Sequence, residues 1–247
     1  MNALVLFSEE IDNDTAILNG SRAEYALTHH TLKVGSEISY AIWEGTLGEA
    51  IVEEIKVNEV SLRLLSKREP IAQQELTLIV SVPRPQTQKK VIHLATVLGV
   101  KELHFIRSAY TEKSYLMSHT LKSESINYHI LRALEQCKNS LPPKVEIFDR
   151  FKPYIEDTLS SRFLPSDTGF LLSTCTEMQS FPTLKHQENT NIYLAIGPES
   201  GWNDFETETF INLGFNELSL GKQILRVETA TAVALGQISL LKKLDML

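Results

Sequence analysis

Two short apolar runs in the C-terminal half, residues 191–196 and 215–220, each lead into a loop that carries glycine. The first loop reads Ile196-Gly197-Pro198-Glu199-Ser200-Gly201. The second reads Leu220-Gly221-Lys222-Gln223-Ile224-Leu225-Arg226-Val227-Glu228-Thr229-Ala230. Continuous apolar runs of this length suit strands buried on both faces of a parallel sheet. Helix-like segments follow both loops. The loops are therefore expected at the carboxyl ends of strands, where an open α/β sheet takes its ligand. Glycine allows backbone N–H and C=O groups to approach a flat ligand closely. A single glycine after a strand carries little weight; two such loops in succession point to an α/β fold with a ligand crevice at one sheet edge.

The segment upstream extends the same alternation. Strands are expected over residues 76–82, 103–106, 144–148 and 169–173. Residues 88–98 have helical spacing, with Val91, Ile92, Ala95 and Leu98 on one face. A long amphipathic helix is expected over 116–137, a shorter one over 206–213 and a final one over 229–244. Strand–helix alternation implies right-handed crossovers and a mostly parallel sheet. The first seventy residues differ. Short β-prone runs at 37–43, 48–55 and 59–65, with a turn at 44–47 and a short helix at 21–30, read as a small β-domain. Residues 67–70 are polar and end in proline, a linker pattern. The expected division is 1–70 and 71–247.

A chain of 247 residues with 43% hydrophobic residues suffices for one large domain or two smaller ones. No run is apolar enough for a bilayer span, and the start lacks a secretory layout. Cys137 and Cys175 form neither a disulfide framework nor a metal-ligand spacing, and the seven histidines are scattered. These features lead to the expectation of a cytoplasmic protein without membrane or metal. The net charge of −7 argues against coating nucleic acid by bulk charge. Its distribution is uneven: residues 76–152 hold 12 Lys and Arg against 6 Asp and Glu, whereas both flanks are acidic. The basic middle is either a footprint for phosphates or a lysine-rich solvated surface.

The strings IGPESGW and LGKQILRVETATAVAL resemble SPOUT methyltransferases with a trefoil-knotted C-terminal half. They most resemble the RsmE-type enzymes, which methylate N3 of a uridine in small-subunit ribosomal RNA. The segment Lys89-Lys90-Val91-Ile92-His93-Leu94-Ala95-Thr96-Val97-Leu98-Gly99-Val100 is similar to that family's first helix and turn, and Glu135-Gln136-Cys137 to its EQ segment. The resemblance covers residues 76–243 well and the first seventy loosely. It implies a knotted SPOUT domain with a mostly parallel sheet, preceded by a PUA-like RNA-binding barrel. It also implies a homodimer, S-adenosyl-L-methionine as cofactor and RNA as partner. The knot comes from the resemblance alone, since strand–helix alternation predicts an ordinary doubly wound domain.

On this resemblance the cofactor would lie among Leu172, Ser173 and Thr174, then Ile196, Gly197, Pro198, Glu199 and Gly201, and finally Leu220, Gly221, Ile224, Leu225, Arg226, Thr229 and Ala230. Uridine N3 carries a weakly acidic proton that must leave before or during methyl transfer. A carboxylate or a cation that stabilises the anionic base serves that step. Arg226, Glu199 and Glu228 are the catalytic candidates in the two loops. Glu228 and Thr229 equally suit the start of the last helix. Trp202 either packs under the first loop or stacks on a base. Lys89, Lys90, Arg107, Lys113 and Lys122 are the cations offered to RNA phosphates. The chain departs from the family pattern at Val97, at Asn139 and at Ser200, where a serine adds a Cβ at a place a glycine would leave free for positive φ. These departures keep open a methyltransferase for another RNA, transfer RNA included, and an RNA-binding or ribosome-assembly protein with little catalysis. A nucleotide-binding α/β protein is disfavoured because no phosphate-loop lysine motif is present.

Overall fold

The computed structural model describes residues 2–173 and 191–244, which form two compact units. The first unit comprises the residues up to Gln73 together with Ile130–Pro142. Its strands are β1 Leu4–Leu6, β2 Ile11–Asp12, β3 Thr15–Asn19, β4 Glu37–Ile42, β5 Leu47–Lys56 and β6 Glu59–Leu64, with helix α1 Ser21–His29 between β3 and β4. They make one sheet in the order β1-β4-β5-β6-β3-β2, antiparallel except for the β1–β4 pair. The sequence pattern explains why one face is buried. Ala16 and Leu18 on β3 alternate with exposed neighbours, as do Val60, Leu62 and Leu64 on β6. Side chains of one parity share a face of a strand. Ala23 and Ala26 of α1 close that face, and a one-residue slip of register would turn the apolar set outward.

Glu135 is fully buried in this unit. Its carboxylate accepts from the Tyr25 hydroxyl at 2.7 Å and from Arg132 Nη1 at 3.1 Å, and it lies 3.2 Å from His30 Nε2. A buried carboxylate is tolerated only with such partners. The EQ segment thus does structural work here. Asn139 ties the backbone at Ile71: its Oδ1 accepts from Ile71 N–H at 3.1 Å and its amide donates to Ile71 C=O at 3.0 Å.

The second unit comprises Gln74–His129 and the residues from Pro143 on. Its strands are β7 Gln74–Ser81, β8 Val100–Ile106, β9 Lys144–Phe148, β10 Thr168–Leu172, β11 Ile192–Ile196 and β12 Phe215–Leu218. All five pairings are parallel, in the order β12-β10-β11-β7-β8-β9. The chain builds outward from β7 through β8 to β9 and then fills the other side. The order therefore reverses between β7 and β11, and such a switch point opens a crevice at the carboxyl ends. The central strands are buried as their composition requires: all of β11, and β7 from Leu76 on.

Helices α2 Pro85–Val97, α3 Lys113–Leu116, α4 Ser123–Cys137, α5 Phe151–Pro153, α6 Ser160–Arg162, α7 Asp204–Asn212 and α8 Val227–Lys243 complete the chain; α4 runs on into residues of the first unit. The expected helix over 116–137 is broken. A 3-10 turn, His119–Leu121, interrupts it, and Lys122 is extended at φ −72°, ψ 142°. The Ser118 hydroxyl accepts from Thr120 N–H, a local bond that competes with helix continuation. Three features escaped the sequence pattern: strand β1, the β2–β3 hairpin, and the helical stretch from α5 through a π turn, Tyr154–Leu159, to α6. The stretch packs Tyr154, Ile155 and Leu159 into the core. Among the described residues no helix is long and apolar enough to cross a membrane.

Candidate functional site

The end of β10 and the loops after β11 and β12 enclose a pocket at the carboxyl edge of the second sheet. Leu172 and Ser173 line it from β10; Ile196, Gly197, Pro198 and Gly201 from the first glycine loop; Leu220, Gly221, Ile224 and Leu225 from the second; and Ala230 from α8. All of these were expected at one site from the sequence. Thr174 lies outside the described residues. Positive φ falls at Gly201 (+78°) and Gly221 (+129°), and a Cβ added at either would meet nothing within 4 Å. The backbone is thus bare there. Ser200 is exposed and does not have positive φ, so the serine imposes no backbone strain. At Gly197 a Cβ would come within 3.2 Å of the Trp202 indole, so the glycine is what lets Trp202 pack beneath the loop.

Several lining residues were not singled out as ligand contacts by the sequence pattern, and two of them bring polar groups of note. Glu217 on β12 brings the pocket a carboxylate. Trp202 also lines it, and its indole N–H is buried without a partner among the described residues. A buried unpaired donor costs stability unless a ligand or water satisfies it. The pocket therefore joins apolar walls, bare glycine backbone, one free donor and one carboxylate. That combination suits an adenosine moiety bearing a cationic substituent.

A second cavity adjoins the first. Glu199, Arg226 and Glu228 line it, together with Arg84 just before α2, Lys90 on α2 and Tyr115 of α3. The chain alternates between the two cavities. Pro198 faces the pocket and Glu199 the groove; Leu225 the pocket, Arg226 the groove, Val227 the pocket and Glu228 the groove. Consecutive Cα atoms are about 3.8 Å apart, so the two spaces lie close beside each other along these segments. Lys90 Nζ lies 2.8 Å from Glu228 Oε1, and this ammonium holds the carboxyl below its ordinary pKa. Arg84 hydrogen-bonds the Tyr115 side chain and lies near Glu199, which raises its pKa further. Arg84 and Tyr115 were also missed by the sequence reading. Arg84 sits just before Pro85 at the start of α2, a position that reads as turn chemistry.

Glu199 and Arg226, expected at both the cofactor and the chemistry, lie in the groove, and Thr229 is exposed and lines neither space. Arg226 is the N-cap residue of α8 but its side chain makes no cap bond, and Glu228 meets Lys90 from the first turn. Of the five cations proposed for RNA, Lys90 lines the groove and Arg107 a third cleft; Lys89, Lys113 and Lys122 line neither. Away from these spaces, Glu102, His104 and Glu146 bring possible metal-ligating atoms within 4.8 Å of one another. Arg162 already supplies the cation: its Nη1 donates to Glu146 at 2.8 Å and to Glu102 at 3.2 Å. His104 is buried against Tyr154, and burial lowers its pKa. The group reads as an ion-pair network.

Comparison with known proteins agrees with this geometry. The chain is 23% identical over 238 residues to the ribosomal RNA small subunit methyltransferase E of Treponema pallidum, covering 95% of this chain and 89% of that protein. It is 27% identical over 245 residues to the enzyme of the same name from Synechocystis, covering 96% and 77%. Its fold matches the crystal structure of a ribosomal RNA small subunit methyltransferase E from Neisseria gonorrhoeae bound to S-adenosyl methionine. That match has a TM-score of 0.80 at 18% identity and covers 97% of this chain and 98% of that one. A family model described as an RNA methyltransferase domain matches residues 70–239, more than half of the chain, and the chain belongs to that family.

Proposed function

We propose that this protein uses S-adenosyl-L-methionine to methylate N3 of a uridine in small-subunit ribosomal RNA. The observation that carries this reading is the alternation of residues 198–199 and 225–228 between an apolar, glycine-floored pocket and a charged groove. Residues adjacent in the chain border both spaces, so the pocket and the groove lie side by side and the methyl group passes where they meet. The cofactor supplies an electrophilic methyl group on a sulfonium, a good leaving group that needs little acid–base help. The protein's task is to hold donor and acceptor in line. Glu217 and the Trp202 indole N–H offer polar contacts to the ribose and base of the cofactor, while Leu220, Ile224 and Leu225 wall it.

In the groove, Arg84, Lys90 and Arg226 stabilise negative charge on a uracil that has lost its N3 proton. Glu228, held ionised by Lys90, is a weak proton acceptor and serves to fix that lysine. We assign proton acceptance to the carboxylate of Glu199. Further parts of this reading follow the family resemblance. The last stretch of chain threads a loop to form the knot, and the division falls at 1–70 and 71–247, apart from Ile130–Pro142, which joins the first unit. The first part is a PUA-like RNA-binding barrel. Lys89, Lys113 and Lys122 contact RNA phosphates at a distance from the groove. Two copies pair through the exposed side of α8, where Leu240 and Leu244 stand 55% and 56% exposed. The protein acts in the cytoplasm, where it meets its RNA.

The test is direct. The protein is incubated with cofactor carrying a deuterated methyl group and with small-subunit ribosomal RNA purified from cells lacking the gene. The nucleosides are then analysed by mass spectrometry. Deuterated 3-methyluridine at one site is the expected result. Label in another nucleoside, or in none, refutes the assignment.

A further inference from the structure

A third cleft lies on the same edge of the second sheet, between the loops after β8 and β9 and the start of α7. Arg107 follows β8; Arg150, Phe151 and Lys152 follow β9; Phe205 stands on the first turn of α7. Three observations bear on its occupant. Phe205 lines the cleft and is 58% exposed, its ring at 66° to that of Phe151 with centroids 6.2 Å apart, so much of the ring is open to solvent. The cations outnumber the available anions. Arg150 meets Asp149 only at 3.8 Å, Lys152 meets Glu156 at 3.6 Å, and Arg107 has no ion pair among the described residues. Glu206 also lines the cleft, but its oxygens are taken by the backbone N–H groups of Ala109 and Asn203.

The third observation is position. β8 and β9 lie next in order after β7, whose carboxyl end leads into the charged groove. Neighbouring strands are about 4.8 Å apart, so the cleft is within reach of a nucleotide adjoining one seated in the groove. An exposed aromatic ring flanked by loosely paired cations is the arrangement that takes an unstacked base and its phosphate in single-stranded RNA. We propose that this cleft binds a nucleotide flanking the methylated one, its base stacked on Phe205 and its phosphate met by Arg107 and Lys152. The inference rests on the RNA methyltransferase reading above, and it adds a second contact by which target RNA is selected.

Small-subunit ribosomal RNA transcribed with photoreactive 4-thiouridine is cross-linked to the full chain, and the linked peptides are mapped. Cross-links to Phe205 or to residues 149–153, beside others in the groove, are expected. Phe205→Ala removes an exposed ring and leaves the pocket walls intact. It should raise KM for RNA about tenfold, the loss falling on KM more than kcat. Affinity for S-adenosylmethionine should not change. Cross-links confined to the groove, or an unchanged KM in the variant, overturn the inference while leaving the methyltransferase reading in place. A variant that lowers the mass in solution with RNA KM unchanged assigns the cleft to a second copy of the chain and likewise overturns it. If the wild type methylates no RNA, both readings fall together.

Discussion

Glu206 holds two loops at the carboxyl edge of the second sheet, and its removal has a calculable cost. The side chain belongs to a residue only 2% exposed. Oε1 accepts the Ala109 N–H at 2.7 Å, and Oε2 accepts the Asn203 N–H at 3.2 Å. Asn203 Oδ1 in turn accepts the Glu206 N–H at 2.8 Å, completing a capping box at the start of α7. Glu206→Ala leaves two backbone donors without their acceptor. An unsatisfied buried donor costs about 1–3 kcal/mol. Ala109 is exposed and Asn203 is partly so, which allows water to replace part of the loss. About 1 kcal/mol for each is therefore appropriate. Losing the acidic group from the first turn adds about 0.5 kcal/mol. The expected total is about 2–3 kcal/mol, or a fall in Tm of roughly 4–12 °C for a unit of this size. Calorimetric melting measures it. Glu206→Gln, which keeps one acceptor but turns an amide N–H toward a donor, should fall between the two. Because Asn203 follows Trp202 at the end of the first glycine loop, the Ala variant should also bind S-adenosylmethionine more weakly. A Tm within about 1 °C of wild type would refute the argument, since no anchored carboxylate with two backbone partners is removed so cheaply.

Two further outcomes follow from the same geometry. Gly221 has φ +129° and open space where a Cβ would stand. Gly221→Ala should therefore cost about 1–3 kcal/mol of backbone strain, softened by the exposed loop, and weaken the cofactor modestly. Gly221→Trp fills the pocket and should abolish binding in calorimetry; equal affinities for the two variants would contradict the placement of the pocket. Glu146 has its pKa pulled down to about 2, chiefly by its hydrogen bond with Arg162. An unfolded glutamate titrates near 4.3, so this carboxylate stabilises the fold fully above about pH 5 and loses its contribution as pH falls through about 2. In urea titrations the wild type should exceed Glu146→Gln by about 1 kcal/mol at pH 7, allowing for the partial exposure of both partners. The gap should close between pH 5 and 2, and a gap constant down to pH 2 would show that the ion pair is not its source.

Local patterns made much of the second unit legible. Residues 191–196 and 76–82 are apolar without a break, and the resulting β11 and most of β7 are buried. Val91, Ile92 and Ala95 at helical spacing gave the buried face of α2. Where one side chain could answer two ways, the pattern failed. Ser118 reads as a helix residue but bonds the Thr120 N–H and breaks the helix. The stretch from Phe151 to Arg162 offers no clean period and folds against the core through Tyr154, Ile155 and Leu159. The two-residue strand β2 is too short to carry a signal of its own and exists because β3 pairs with it.

The sequence by itself determined the glycine loops, the strands that deliver them and the family to which the chain belongs, because these depend on residues adjacent in the chain. Tertiary structure decided which side chains share a space. The turn from Leu225 to Glu228 sends alternate residues to opposite sides, so Arg226 leaves the pocket that Leu225 lines and enters the groove. Arg84 and Tyr115 reach that groove from more than eighty residues upstream because β7, which leads to Arg84, lies beside β11, and β8, which leads to Tyr115, lies beside β7. Glu228 meets Lys90 across 138 positions of sequence, and that meeting is the largest cause of its depressed pKa. Charge acts through space at a few ångströms, and only strand order brings such distances about.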